Sequence, residues 1–277
     1  MQPLIIAMVL GAALLHAGWN AVLRGRADRL WSITVMSAMS GAVGLVFVVV
    51  LPAPAAASWG YVALSGGLQI AYCLFLVRAY RHAGLAQAYP VARGLSPLLV
   101  TLAAAVVAGE RLGPTALAGV ALVSLGILGI AAGRGRPDAR SLLAALAAGV
   151  MIAGYTVTDG MGSRLSGHPS SYIAWLALAQ GAPMPLIFMA IRRPLRFDFA
   201  AAETWKAAAG GVVSLAAYGI VVWALSLSPM GAVSALRETS ILFAAVLGRV
   251  FLKERISLGR AACCVAIAAG AVCLGLS

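Results

Sequence analysis

Ten apolar runs, each close to the ~20 residues needed to cross a hydrocarbon core, occupy nearly the whole chain: 3–23, 31–51, 59–80, 85–108, 114–132, 141–161, 169–190, 204–225, 230–252 and 258–276. Almost nothing is left over for a soluble domain. The expected fold is therefore all-α and integral to a membrane, with ten transmembrane helices. Composition agrees, because 62% of residues are hydrophobic and 10% charged, where water-soluble folds carry about 25% charged residues.

The formal charge of +12 sits in short gaps between apolar runs rather than beside polar and aromatic surface. It is read as membrane topology and not as a nucleic-acid footprint. One set of loops carries Arg24, Arg26, Arg29, Arg134, Arg136, Arg192 and most of the other basic residues, whereas the opposite set carries only Arg111 and Arg164. That asymmetry places the first set in the cytoplasm and both termini outside. The first run has no basic residue ahead of it, so it is read as a retained helix rather than a cleaved leader. Cys73, Cys263, Cys264 and Cys273 all lie inside apolar runs without metal-ligand spacing, and neither a disulfide nor a metal site is expected.

Within the fourth run, Arg93 stands between Pro90 and Pro97, and the run closes on Glu110-Arg111. An arginine at membrane depth costs roughly 2.5–3.5 kcal/mol on insertion scales and is rarely left without a partner or a role. The prolines are expected to weaken the helix around it. The same arrangement returns 144 positions later, where Arg93 maps onto Arg237, Glu110-Arg111 onto Glu254-Arg255 and Gly66-Gly67 onto Gly210-Gly211. The chain is thus read as a tandem duplication, residues 1–135 and 139–277. Five spans is an odd number, so the second copy would enter the membrane from the opposite side. Two inverted five-helix repeats of this kind are a transporter architecture, with a site near midplane and alternating access around it.

The sequences HAGWNA in the first run, YPVARGLSPLL and GERL around the fourth, and SALRETSILFAAVLG and KER around the ninth resemble the EamA family of the drug/metabolite transporter superfamily. The resemblance extends over essentially the whole chain. It implies a ten-helix secondary carrier with a central cavity, often an exporter of amino acids or other small metabolites.

Candidate solute-binding residues follow from position. His16, Trp19 and Asn20 share one helix face at i, i+3 and i+4. His16 is read either as a hydrogen-bonded bridge to a neighbouring helix or as a ligand- or proton-handling group. In the sixth run Tyr155, Thr156 and Asp159 occupy the equivalent region, and Asp159 is either a buried partner for a cation, an amine or a proton, or a solvated carboxylate at the span end. Arg93 and Arg237 suggest two half-sites at mirror depths, Arg93 with His16 and Asn20, Arg237 with Tyr155, Thr156 and Asp159. The alternative for both arginines is inter-helix glue through backbone carbonyls. No acidic partner for Arg93 is evident nearby in sequence, and Glu238 need not neutralise Arg237, since adjacent helix residues point about 100° apart. Gln69, Tyr72, Tyr89 and Tyr218 complete the set, with Trp175, Gln180 and Trp223 as further cavity candidates. The glycine pairs are read as close helix packing.

No Walker-type loop, HExxH, G-x-S-x-G elbow or hydrolytic carboxylate pair is present. No cofactor and no enzymatic activity is expected. The leading expectation is a secondary transporter of small metabolites such as amino acids, working in the export direction in an inner or plasma membrane, as a monomer or homodimer, with lipid and solute as its partners. The alternatives are a carrier of anionic solutes such as phosphonates, and a membrane enzyme or lipid-binding accessory subunit.

Overall fold

All ten runs fold as helices long and apolar enough to cross a membrane, and two of the ten are split. The computed structural model describes residues 1–22, 28–82, 85–133, 139–192, 198, 200–251 and 257–277. In chain order the helices are α1 (Pro3–Val22), α2 (Arg29–Val50), α3 (Trp59–His82), α4 (Leu85–Val107), α5 (Pro114–Ala132), α6 (Ala139–Leu165), α7 (Pro169–Gly181), α8 (Pro183–Ile191), α9 (Ala202–Leu227), α10 (Met230–Arg237), α11 (Ser240–Phe251) and α12 (Leu258–Gly275). The seventh span is α7 with α8, and the ninth is α10 with α11.

Local chemistry explains where several helices begin. Asp28 caps α2, its Oδ1 accepting from the Leu30 amide at 3.0 Å, and Ser257 caps α12. Pro114 and Pro169 open α5 and α7, where a missing N–H costs nothing. At the end of α4, Gly109 takes φ +65°, and the Glu110 amide donates back to the Ala104 carbonyl at 3.2 Å. The positive φ at Gly109 is a left-handed helix stop of the kind glycine permits, and the return bond reaches one residue further back than a Schellman 6→1 bond. It folds Glu110 back over the helix end.

The expected weakening at Pro90 and Pro97 does not break α4, which runs continuously through both. Pro97 cannot donate to the Arg93 carbonyl, and the Ser96 hydroxyl donates to that oxygen instead, at 3.2 Å. The true interruptions lie elsewhere. Ala182, between the last residue of α7, Gly181, and the first of α8, Pro183, separates the two helices. Between α10 and α11, Glu238 and Thr239 form a tight link in which the amides of Glu238, Thr239, Ile241 and Leu242 donate to Ala235, Leu236, Glu238 and Thr239, at 2.8–3.1 Å. Each amide reaches back three residues rather than four. The link thereby satisfies its backbone inside an apolar surround.

The main core joins α1, α4, α5, α6, α9, α10 and α12 through residues such as Val9, Val100, Val123, Val157, Leu225 and Leu236. α3 and α4 pack on α6, α1 packs on α9, α10 and α11, α2 lies against α7, and α5 lies against α12. Small residues permit these approaches: a methyl placed on Gly181 would lie 2.7 Å from the Gly41 Cα. The expected glycine packing holds at Gly66 and Gly211 and not at Gly67. Gly66 faces Ala179 and Gly211 abuts Met36, while Gly67 faces open space.

Candidate functional site

The charged centre of the bundle is built by the split ninth span. Arg237 ends α10, Glu238 forms the link, and Ser240 begins α11. The Glu238 carboxylate, 0% exposed, receives Arg93 Nε from α4 at 2.6 Å and Arg237 Nη2 at 3.4 Å. Arg93 Nη2 also reaches the Ser240 hydroxyl at 3.4 Å. The two arginines therefore do not mark separate half-sites: they converge on one carboxylate. Arg93 does have an acidic partner, from the link between α10 and α11, 145 positions away in sequence.

The three charges leave one positive in excess. Arg237 is the less committed of the two cations, since its contact to Glu238 is 3.4 Å against 2.6 Å for Arg93. His16, on α1, lies within electrostatic reach of both guanidiniums. It stands edge-on to Trp19, with ring centroids 5.2 Å apart. Trp19 itself packs towards α2 and α9, and the Asn20 amide donates to the His16 carbonyl at 2.8 Å.

A second polar group adjoins the first. Asp159, on α6, is 0% exposed, so it is not a solvated carboxylate at a span end. It accepts from the Tyr172 hydroxyl at 2.9 Å, from the Tyr218 hydroxyl at 2.5 Å and, more weakly, from Gln69 Nε2 at 3.4 Å. Gln69 is steadied by Ser65, one turn earlier on α3, at 3.2 Å. All of these partners are neutral. Tyr155 stands beside the pair, edge-on to Tyr218 at 5.8 Å and to Tyr72 at 5.9 Å, and it feels the charges of both Arg237 and Asp159.

The structure thus brings His16, Gln69, Tyr72, Arg93, Tyr155, Asp159, Tyr218, Arg237 and Glu238 to one buried region. Thr156 is buried, but its hydroxyl turns to the Ile152 carbonyl of its own helix at 2.6 Å. Tyr89 lies in α4 with its side chain outside the described residues. Trp175 instead stacks edge-on with Trp59, at 4.6 Å. Gln180 ties α7 to α2 through Ser37 at 2.8 Å. Trp223 packs against the main core.

Two features escaped the sequence reading. Tyr172 looks like an interface anchor, three residues after the proline that opens its helix, yet it is a principal donor to Asp159. The second is a closure at the arginine-poor end of the bundle. Arg164, from the end of α6, pairs with Glu110 at 2.6 Å and donates to the carbonyls of Leu225 and Ser228 at 3.0 and 2.9 Å. The other Glu110 oxygen accepts from the Met230 amide at 2.8 Å. A carboxylate at the first amide of α10 also favours the helix dipole. One ion pair thereby joins α4, α6, α9 and α10. The signal was Arg164 itself, one of only two basic residues at that end.

With this geometry in place, comparison identifies the chain. The family model described as the EamA-like transporter family matches residues 139–276. The chain belongs to the EamA-like transporter family. The resemblance in the motifs is thus supported, and the protein is a membrane transporter of the drug/metabolite type. No curated protein matches it. A solved structure titled "Crystal structure of protein" matches over 100% of this chain and 98% of its own, with a TM-score of 0.78 at 22% identity. That likeness shows the EamA-like chain's fold and nothing further.

Proposed function

We propose that this chain is a secondary active carrier that exports small zwitterionic metabolites, amino acids first among them, by alternating access. The observation that carries the reading is a pair of buried, opposite charges with incomplete partners beside one aromatic wall. Among the described residues, Asp159 holds only neutral donors, and Arg237 holds Glu238 at 3.4 Å with its Nε unsatisfied. A buried charge is stable only when paired and hydrogen-bonded. A solute ammonium at Asp159 and its carboxylate at Arg237 complete both. Tyr72, Tyr155 and Tyr218 between them offer ring faces suited to an ammonium.

The alternating-access part rests on two further supports. The Glu110–Arg164 closure seals one end of the helices that carry the site. The helix pairings also match an inverted duplication of 1–135 and 139–277: α3 on α6 corresponds to α9 on α1, α4 on α6 to α10 and α11 on α1, and α2–α7 and α5–α12 pair counterparts. The basic-residue asymmetry supports an orientation with the arginine-poor end outside, in what we take to be an inner or plasma membrane. Export is what the family resemblance implies. An anionic solute such as a phosphonate is the second reading, favoured by the single positive excess of Arg93, Arg237 and Glu238.

Counterflow in proteoliposomes tests this. Vesicles loaded with an amino-acid pool are expected to accumulate a labelled amino acid, saturably, and to lose that accumulation in Asp159→Asn and in Arg237→Gln. N-acetylated amino acids, lacking the ammonium, and simple amines, lacking the carboxylate, are expected to compete poorly. Accumulation of phosphonates alone, with Asp159→Asn silent, would move the assignment to the anionic reading. Effective competition by the simple amines would remove the zwitterion.

A further inference from the structure

At the basic-rich end of the bundle, α3 and α6 leave a groove of about 450 Å3 lined by Phe75, Leu143, Ala144 and Ala147 and flanked by Arg78 and Arg140. Both arginines are exposed, and neither forms an ion pair among the described residues. Among the described residues, no acidic side chain lines the groove. Leu143 is 67% exposed, so the apolar floor opens outward from the bundle, towards lipid in a membrane-spanning chain.

The two kinds of side chain are ordered by depth. Arg78 lies one turn from the end of α3 at His82, and Arg140 is the second residue of α6, so both guanidiniums stand at one membrane surface. Phe75 lies about one turn deeper than Arg78. Leu143, Ala144 and Ala147 lie one and two turns deeper than Arg140. Two cations at the mouth of an apolar slot are complementary to an anion attached to a hydrocarbon tail. A free phosphate would use only the arginines, and a neutral lipid only the slot. Basic pockets between transmembrane helices are known as acidic headgroup sites.

We propose that this groove binds an anionic phospholipid, its phosphate between Arg78 and Arg140 and one acyl chain along Phe75, Leu143 and Ala147. The site is separate from the solute region and does not depend on which solute is carried. Its floor is formed by α3 and α6, the two helices that also carry Gln69 and Asp159.

The test uses the full chain, purified and delipidated in detergent, with native mass spectrometry reading retained lipid. Phosphatidylglycerol is titrated against phosphatidylcholine of identical chains. Preferential retention of phosphatidylglycerol is expected, weakened about fivefold by each of Arg78→Gln and Arg140→Gln, since a basic residue near the surface contributes about a factor of five. Ala147→Trp, which fills the slot and keeps both arginines, is expected to lose the lipid as well. Lys206→Gln, an exposed charge at the same end, is expected to leave retention unchanged. Equal retention of phosphatidylcholine, undiminished binding in the double arginine variant, or an equal loss in Lys206→Gln would overturn the proposal. Full competition by soluble glycerol phosphate would reduce the site to a phosphate contact and overturn it equally.

Discussion

Arg93 Nε lies 2.6 Å from Glu238 Oε2, and this contact links α4 to the interruption of the ninth span across 145 positions of sequence. Removing one partner from a buried ion pair costs about 3–5 kcal/mol, because the other charge is left uncompensated. Glu238→Gln leaves two guanidiniums facing each other and is expected to cost that amount, read as a lowered unfolding temperature in detergent. Arg93→Met is expected to destabilise more than Arg237→Met, since Arg237's contact to Glu238, at 3.4 Å, is the longer of the two. The reverse order would mean that Arg237 is the principal partner.

The phenol groups around Asp159 offer a graded test. Tyr172→Phe removes a fully buried donor at 2.9 Å, and is expected to cost about 1–3 kcal/mol, the usual effect of stripping a partner from a buried polar group. Asp159→Asn keeps the shape and is expected to cost less than Asp159→Leu, which orphans both hydroxyls. Urea or thermal unfolding of the three variants checks the order.

The closure at the arginine-poor end is expected to control access to buried positions of α10. In a background with the four native cysteines replaced, Ser234→Cys sits on α10 at a fully buried position. Its labelling by a maleimide is expected to rise about tenfold when Glu110→Gln removes the charge-assisted bonds to Arg164 and Met230, a change equivalent to about 1.4 kcal/mol. An unchanged labelling rate would show that the ion pair does not hold that end shut.

Two glycines on packed helices are expected to respond in opposite directions. Gly181→Ala drives a methyl into α2 and is expected to cost about 1–3 kcal/mol as overpacking. Gly67→Ala meets nothing within 4 Å, and is expected to stabilise by about 0.4–1 kcal/mol through the unfolded chain. Thermal unfolding of both in the same detergent decides this.

The ten spans were legible because apolar run length is a local property, and the observed helices Trp59–His82 and Pro114–Ala132 begin at the expected residues. Breaks were legible only in part. Pro90 and Pro97 looked disruptive, yet α4 stays whole because Ser96 takes over the bond that Pro97 cannot make. The interruption at Glu238 carries neither glycine nor proline, only the polar run Arg237 to Ser240. Pairings between distant helices were not legible at all: nothing in the sequence near Arg93 points to Glu238, and nothing near Asp159 points to Tyr172 and Tyr218. Those are properties of packing rather than of pattern.

A span split at residues 238 and 239 is two short rods on an elbow, and an elbow changes angle through a few dihedrals without unfolding either rod. The carboxylate that holds both arginines is mounted on that elbow. A solute that drew Arg93 or Arg237 away from Glu238 would apply its force at the pivot itself, and no relay through packed side chains would be required.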